Sequence, residues 1–350
     1  MRILIVTDAW EPQVNGVVRT LQATIGELRK AGHEIDVISP DLFRSIPCPS
    51  YDEIRLAFAG WRKVGRMIAR FAPQAIHIST EGPLGLAARR WCLTNGFPFT
   101  TAYHTRFPEY VAARLPLSPA FVWRFIRWFH RPARHIMVAT RSLARELADQ
   151  GLGQTMMWER GVDHALFRPD RAAHPAFKGL QRPIQLYVGR VAVEKNIGAF
   201  LGTAQPGTKV IVGDGPALAE LKAHHPGVLF LGKLGGEALA SAYAGADVFV
   251  FPSRTDTFGL VIIEALSCGT PVAAYPVPGP GDTVRDGAGA LDENLDMAIA
   301  AALACDRADA AALGARYNWP GCTAQFLKAL TFIPTDPVPD ATAAAPRLTA

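Results

Sequence analysis

At 350 residues the chain is longer than one hydrophobic core usually supports, so two domains are expected. Apolar residues make up 49% and charged ones 19%, a balance that excludes disorder as the main state. The net charge of +5 is uneven: residues 1–168 hold 22 Lys and Arg against 14 Asp and Glu, and the remainder holds 14 against 17. A basic first half points to an anionic partner there, whether a phosphorylated substrate, an anionic lipid surface or nucleic acid.

Cys48, Cys92, Cys268, Cys305 and Cys322 are scattered, without Cys-x-x-Cys pairs or histidines at ligand spacing. Neither a disulfide framework nor a zinc site is indicated, and no metal is expected. The apolar run Ile3 to Val6 follows Met1 too closely for a signal peptide, and no apolar stretch approaches the roughly 18 to 20 residues that span a bilayer. The expected location is the cytoplasm, with peripheral attachment to the inner face of the cytoplasmic membrane as a further candidate.

In chain order, strands are predicted at Ile3–Thr7, Ile35–Ser39, Ala75–Ser79, Phe99–His104 and Ile136–Thr140. Several are apolar on successive residues, as parallel strands covered on both faces require. The stretch Gly161–Pro183 is rich in turn residues and is read as the interdomain linker. Alternation then resumes at Ile184–Val188, Val210–Val212, Val228–Leu231, Val248–Phe251 and Pro271–Ala274. The fold class is α/β, two doubly wound domains in tandem. The Pro, Ala, Thr and Asp of the tail have little to bury, and residues 333–350 are expected to be disordered.

Ligands of such sheets sit beyond the carboxyl ends of the strands, where loops deliver backbone N–H groups. Asn15-Gly16 opens a helix after the first strand, which suits either an approaching phosphate or an ordinary helix start. In YVGRVAVEKN, Gly189, Arg190 and Lys195 follow a buried strand; the two cations either neutralise a diphosphate or form a solvated Arg-Glu-Lys cluster. Gly213 and Gly215 of VGDGP make a tight loop that could meet a nucleotide or simply turn. The most specific segment is FPSRTDTFGLVIIEALSCGTPV. Its Asp256 lies in a loop, Phe258, Gly259 and Leu260 present N–H groups at a helix start, and Glu264 lies about two turns into that helix.

This ordered set, with TAYHTRFPEY at 101–110, GVDHALFRP at 161–169 and ADVFVFPS at 246–253, resembles glycosyltransferase family 4, the retaining nucleotide-sugar enzymes of GT-B fold. The resemblance spans most of residues 1–330 and extends to the family's lipid-glycosylating and mannosyltransferase-like branches. It implies that 1–168 form an acceptor domain, 169–313 a donor domain, and 314–332 a helix returning to the first domain. By the same likeness Arg190 and Lys195 contact the donor diphosphate, Gly16 approaches it, Glu264 binds the ribose, and Asp256 and His104 touch the transferred sugar. The implied reaction moves a hexose from a UDP- or GDP-sugar to a hydroxyl with retention, the leaving phosphate helping to deprotonate the acceptor. The nucleotide-sugar is then a co-substrate and no cofactor is needed. Asn15 and Asp256 depart from the family's usual Gly and Glu.

Two segments mix aromatic and basic residues. In GWRKVGRMIARFAP, Trp61, Val64, Met67, Ile68 and Phe71 alternate with Arg62, Lys63, Arg66 and Arg70; in SPAFVWRFIRWFHRPARH, Phe121, Phe125 and Trp128 accompany Arg124, Arg127, Arg131 and Arg134. Both patterns suit a helix on an anionic bilayer or a packed helix with a solvated basic face. Arg124, Arg127, Trp128 and Arg131 are the acceptor or membrane candidates, and the acceptor is read as a glycan or, preferentially, a membrane lipid. The other readings are a sugar-nucleotide epimerase of the same fold and a non-catalytic nucleotide-sugar or membrane-binding module. A NAD dehydrogenase lacks its Gly-x-Gly-x-x-Gly after the first strand, and no recognition motif supports nucleic acid.

Overall fold

The computed structural model describes residues 1–13, 15–48, 51–104, 118–285 and 287–333. The tail beyond Ile333 and the Thr105–Tyr110 part of the HTRFPEY motif lie outside the described residues.

Ile3, Leu4, Ile5 and Val6 are all fully buried, which requires covering layers on both sides of their strand. That strand, β1 (Arg2–Val6), sits inside a six-stranded parallel sheet with β2 (Glu34–Ile38), β5 (Ala75–Ile78), β6 (Thr100–Tyr103), β7 (Ile136–Val138) and β8 (Thr155–Met157), in the order β2-β1-β5-β6-β7-β8. The omitted strands β3 (Ser45–Cys48) and β4 (Tyr51–Ala57) pair antiparallel beside the sheet. A second parallel sheet combines β9 (Ile184–Val188), β10 (Thr208–Val212), β11 (Leu229–Gly232), β12 (Val248–Phe251), β13 (Val272–Ala274) and β14 (Gly289–Leu291) in the order β11-β10-β9-β12-β13-β14. Both sheets are Rossmann-like, as expected from the sequence. The hairpin and the short edge strands β8 and β14 had no sequence signal.

The order reverses beside β1 in the first sheet and beside β9 in the second, and the crevice at such a switch point is where open α/β sheets receive ligands. The loops after β1, β9 and β12 carry the motifs singled out above. Helix α1 (Gly16–Lys30) follows β1. Helices α2 (Trp61–Phe71), α3 (Pro83–Thr94), α4 (Pro119–His130) and α5 (Arg141–Asp149) add to the cover of the first sheet.

The chain crosses back at its far end. Helix Trp319–Ala329 sets Cys322, Phe326 and Ala329 into one core with Ile3, Ile5, Leu21 and Leu28. Gly161 lets this happen, since a Cβ there would lie 2.5 Å from the Trp319 nitrogen. The Val162 N–H donates to the Tyr317 carbonyl at 3.1 Å, so the outgoing and returning strands of chain run side by side. Within the linker stretch, Phe167 and Phe177 are buried in the second core, so much of that stretch is packed against the second sheet.

Candidate active site

On the second-sheet side, the β12 loop leads through Asp256 and Phe258 to Gly259, which caps helix Leu260–Ser267. Gly259 has φ +82°, a left-handed conformation that glycine adopts without strain, and its lack of a side chain leaves this helix start without a side-chain cap. Lys195 Nζ donates to Asp256 Oδ1 at 2.6 Å. Asp256 Oδ2 is buried and has no hydrogen-bond partner among the described residues, so one carboxylate oxygen is held and the other is left to accept. Arg190 stands 3.9 Å from Glu194 and is partly exposed. Asn196, left-handed at φ +55°, donates to the Pro252 carbonyl at 3.2 Å and ties the Lys195 loop to the Asp256 loop.

Glu264 is buried, and both its oxygens are engaged: Arg19 Nη2 lies 2.7 Å from Oε1, and Tyr243 donates to Oε2 at 3.1 Å. Burial raises the Glu264 carboxyl above its ordinary range, and the Arg19 charge is the main influence pulling it back. Arg19 belongs to α1, so this ion pair crosses between the halves. Two further contacts close the same seam. Thr257 Oγ1 donates to the His104 carbonyl at 2.8 Å and the Ser142 N–H donates to Asp282 Oδ1 at 3.2 Å; beside them Gly16 faces Leu260, which a Cβ there would meet at 3.5 Å.

His104 lies just past the end of β6. Arg160 Nη2 donates to its Nδ1 at 3.1 Å, and its ring packs against Trp158 at 5.5 Å between centroids. Its Nε2 is buried without a partner among the described residues. Burial first, then the Arg160 charge, holds the imidazole well below its usual pKa and so neutral.

Some expectations are narrowed by this geometry. Asn15 Oδ1 accepts from the Val17 and Val18 N–H groups, both at 3.0 Å, so it is the N-cap of α1, as the ordinary helix start requires, and these two donors are already used. Gly213 and Gly215 answer first to packing. A Cβ on Gly213 would lie 1.8 Å from the Gly189 carbonyl oxygen, and one on Gly215 would lie 2.4 Å from that of Val191. Gly189 itself has φ +154° and faces the Tyr187 hydroxyl. Phe258 is buried, edge-on to Tyr317.

On the first-sheet side, Val64 and Ile68 are core residues of α2, with Met67 and Phe71 packed against them. Trp61, Phe121 and Trp128 remain 40%, 62% and 52% exposed. Arg90 sits over Trp61 at 4.6 Å and Arg89 over Trp128 at 3.9 Å, so α3 joins the two tryptophans. Arg124, Arg127 and Arg131 are exposed, Arg127 donating to Gln150 at 2.9 Å. No helix among the described residues is long and apolar enough to cross a membrane.

The family model for Glycosyltransferase Family 4 matches residues 14–166, and that for Glycosyl transferases group 1 matches residues 182–309. The GDP-mannose-dependent alpha-mannosyltransferase of Mycobacterium tuberculosis is 30% identical over 308 residues, 81% of this chain and 81% of the relative. The chain belongs to glycosyltransferase family 4. Among other relatives of this glycosyltransferase, the sulfoquinovosyl transferase of Arabidopsis thaliana is 32% identical over 78% of this chain, which spans 59% of that protein. The alpha-monoglucosyldiacylglycerol synthase of Streptococcus pneumoniae is 27% identical over 82% of this chain and 74% of the relative. In fold, the enzyme is similar to sucrose-phosphate synthase from Thermosynechococcus elongatus, with a TM-score of 0.72 at 23% identity over 93% of this chain and 97% of the other. The fold is GT-B.

Two site residues of the glycosyltransferase were not read from sequence. Arg19 follows the Asn15-Gly16 turn by one helical turn and Arg160 directly precedes the GVDHALFRP motif, so each stood beside a motif without being part of one. A cation one turn beyond a glycine-opened helix start is the signal that could have found Arg19.

Proposed function

We propose that this enzyme transfers a hexose from a UDP- or GDP-linked donor, with retention, to a hydroxyl of a membrane lipid or lipid precursor. The observation that carries the proposal is the pairing of Lys195 with Asp256 at a switch-point loop, directly across the seam from His104. Lys195 and Arg190 supply the charge that meets the diphosphate and the negative charge growing on it as the glycosidic bond breaks, so no metal is required. Asp256, oriented by Lys195, accepts from a sugar hydroxyl through Oδ2. Glu264, whose two oxygens already accept from Arg19 and Tyr243, receives the ribose diol on their remaining lone pairs, and the uncapped helix start at Phe258 to Leu260 faces the phosphates. The leaving phosphate oxygen takes the acceptor proton on the same face, so the protein's contribution is positional and electrostatic.

Three relatives favour a lipid acceptor or a GDP donor by their names: the glucosyldiacylglycerol synthase, the GDP-mannose-dependent enzyme, and a phosphatidylinositol dimannoside mannosyltransferase of Mycobacterium tuberculosis at 26% identity. The face bearing the exposed Trp61, Arg90, Trp128, Arg124 and Arg131 is proposed to dock on anionic lipid and bring the acceptor headgroup to the cleft. Thermal stabilisation by a panel of UDP-, GDP- and ADP-sugars identifies the donor, and mass analysis after incubation of the best binder with lipid extract identifies the product. A donor that stabilises but yields no glycosylated lipid, with or without EDTA, overturns the lipid reading.

A further inference from the structure

We propose that Arg160 is a positioning residue that locks His104 in the neutral form protonated on Nε2, making it a hydrogen-bond donor that cannot act as a base. The inference rests on the reading of His104 as a contact to the transferred sugar.

A guanidinium only donates, so the 3.1 Å contact from Arg160 Nη2 uses the lone pair of His104 Nδ1. A neutral imidazole with Nδ1 accepting carries its proton on Nε2, and the second lone pair that a general base needs is absent. Nε2 is the buried ring atom without a partner among the described residues, so this is where the proton is presented. A hydroxyl oxygen of a bound sugar would satisfy it.

Arg160 is itself held. It is buried, Nη1 donates to the carbonyls of Trp158 at 2.7 Å and Glu159 at 3.1 Å, and its guanidinium lies over the Trp158 ring at 5.3 Å and the Phe258 ring at 5.9 Å. The Phe258 contact comes from the donor-side loop, so Arg160 and Thr257 hold His104 from both sides of the seam. The titratable groups acting on the imidazole among the described residues are Arg160, His77 of β5 and His130 of α4. All three disfavour an imidazolium. Burial lowers the Arg160 pKa only to about 10, so the guanidinium stays charged across the physiological range.

The test is 15N spectroscopy of the histidine side chains, with His104→Ala identifying the signal. The wild-type enzyme is expected to show one tautomer, protonated on Nε2, unchanged between about pH 5.5 and 8. Arg160→Met should admit the Nδ1-protonated form and lower kcat about tenfold while KM for the donor stays within about twofold; Arg160→Lys, which keeps a charged donor, should restore most of the rate. A wild-type His104 that titrates in this range, or that carries its proton on Nδ1, overturns the proposal without any variant. Transfer at the wild-type rate by His104→Ala would instead remove the sugar contact on which the proposal rests, and the tautomer measurement separates the two failures.

Discussion

Arg19 Nη2 lies 2.7 Å from Glu264 Oε1, so one ion pair ties the first helix of one sheet domain to the buried helix of the other. Glu264 occupies a site where burial favours its protonated form, and Arg19 supplies the charge that opposes this. The carboxylate assigned to the ribose is therefore conditioned by a residue from the opposite half of the molecule.

Replacing Arg19 by Met removes that charge and leaves Glu264 facing Tyr243. Loss of one partner from a fully buried pair costs about 3 to 5 kcal/mol, but the Arg19 side chain is 45% exposed and partly screened, so about 1 to 2 kcal/mol is expected. Urea unfolding should show this loss, with Arg19→Lys recovering part of it. Donor affinity should fall in Arg19→Met as well, and an unchanged unfolding midpoint would show the pair to be energetically idle.

Glu264→Ala and Lys195→Ala should each lower turnover by at least about tenfold while leaving the fold intact by circular dichroism. Because Lys195 holds Asp256 at 2.6 Å, the Lys195→Ala and Asp256→Asn effects should not add. Near-normal activity in both single variants would remove the proposed donor site.

For His104→Ala, loss of transfer with nucleotide binding largely kept is expected, since the contact proposed for the imidazole is with the sugar and not with the diphosphate. Calorimetric titration with UDP and GDP alongside initial rates checks this. A parallel fall in affinity and rate would contradict the assigned contact.

Stability should fall on acidification through two buried histidines. Burial lowers His77 to about 3 and holds His104 well below 6.5, so below about pH 6.5 the unfolded chain binds protons that the folded chain does not. Stability is then lost as pH drops from about 6.5 towards 3, by up to roughly 1.4 kcal/mol per pH unit for each group. Raised Glu264 and Asp8 act in the opposite sense, binding protons in the folded state and offsetting part of the loss at the acid end. Urea midpoints at pH 7.5 and 5.5 should differ less in His77→Gln than in the wild type.

Replacing Arg124, Arg127 and Arg131 together by Gln should weaken sedimentation with anionic vesicles by about 3 kcal/mol at most, since each cation near such a surface contributes about 1 kcal/mol and is screened by salt. Donor binding should be retained, and activity on a detergent-dispersed acceptor should survive better than on a vesicle-borne one. Vesicle binding indifferent to salt and to these substitutions would sink the membrane proposal.

What the sequence by itself determined lies where the physics is local. Consecutive apolar residues such as Ile3 to Val6 and Val248 to Phe251 announce strands buried on both faces, and the Asp256 to Glu264 spacing announces a loop running into a buried helix. The strands β8 and β14 were not legible because three half-buried residues at a sheet edge leave no apolar run to read. Tertiary structure decided everything that depends on groups distant in the chain. It filled the space beside Gly213 with the Gly189 carbonyl, and brought Arg19 to Glu264 and Arg160 to His104. A lone arginine has no periodicity, and burial and partner, which set the charge state of Glu264 and the tautomer of His104, exist only once the two sheets face each other.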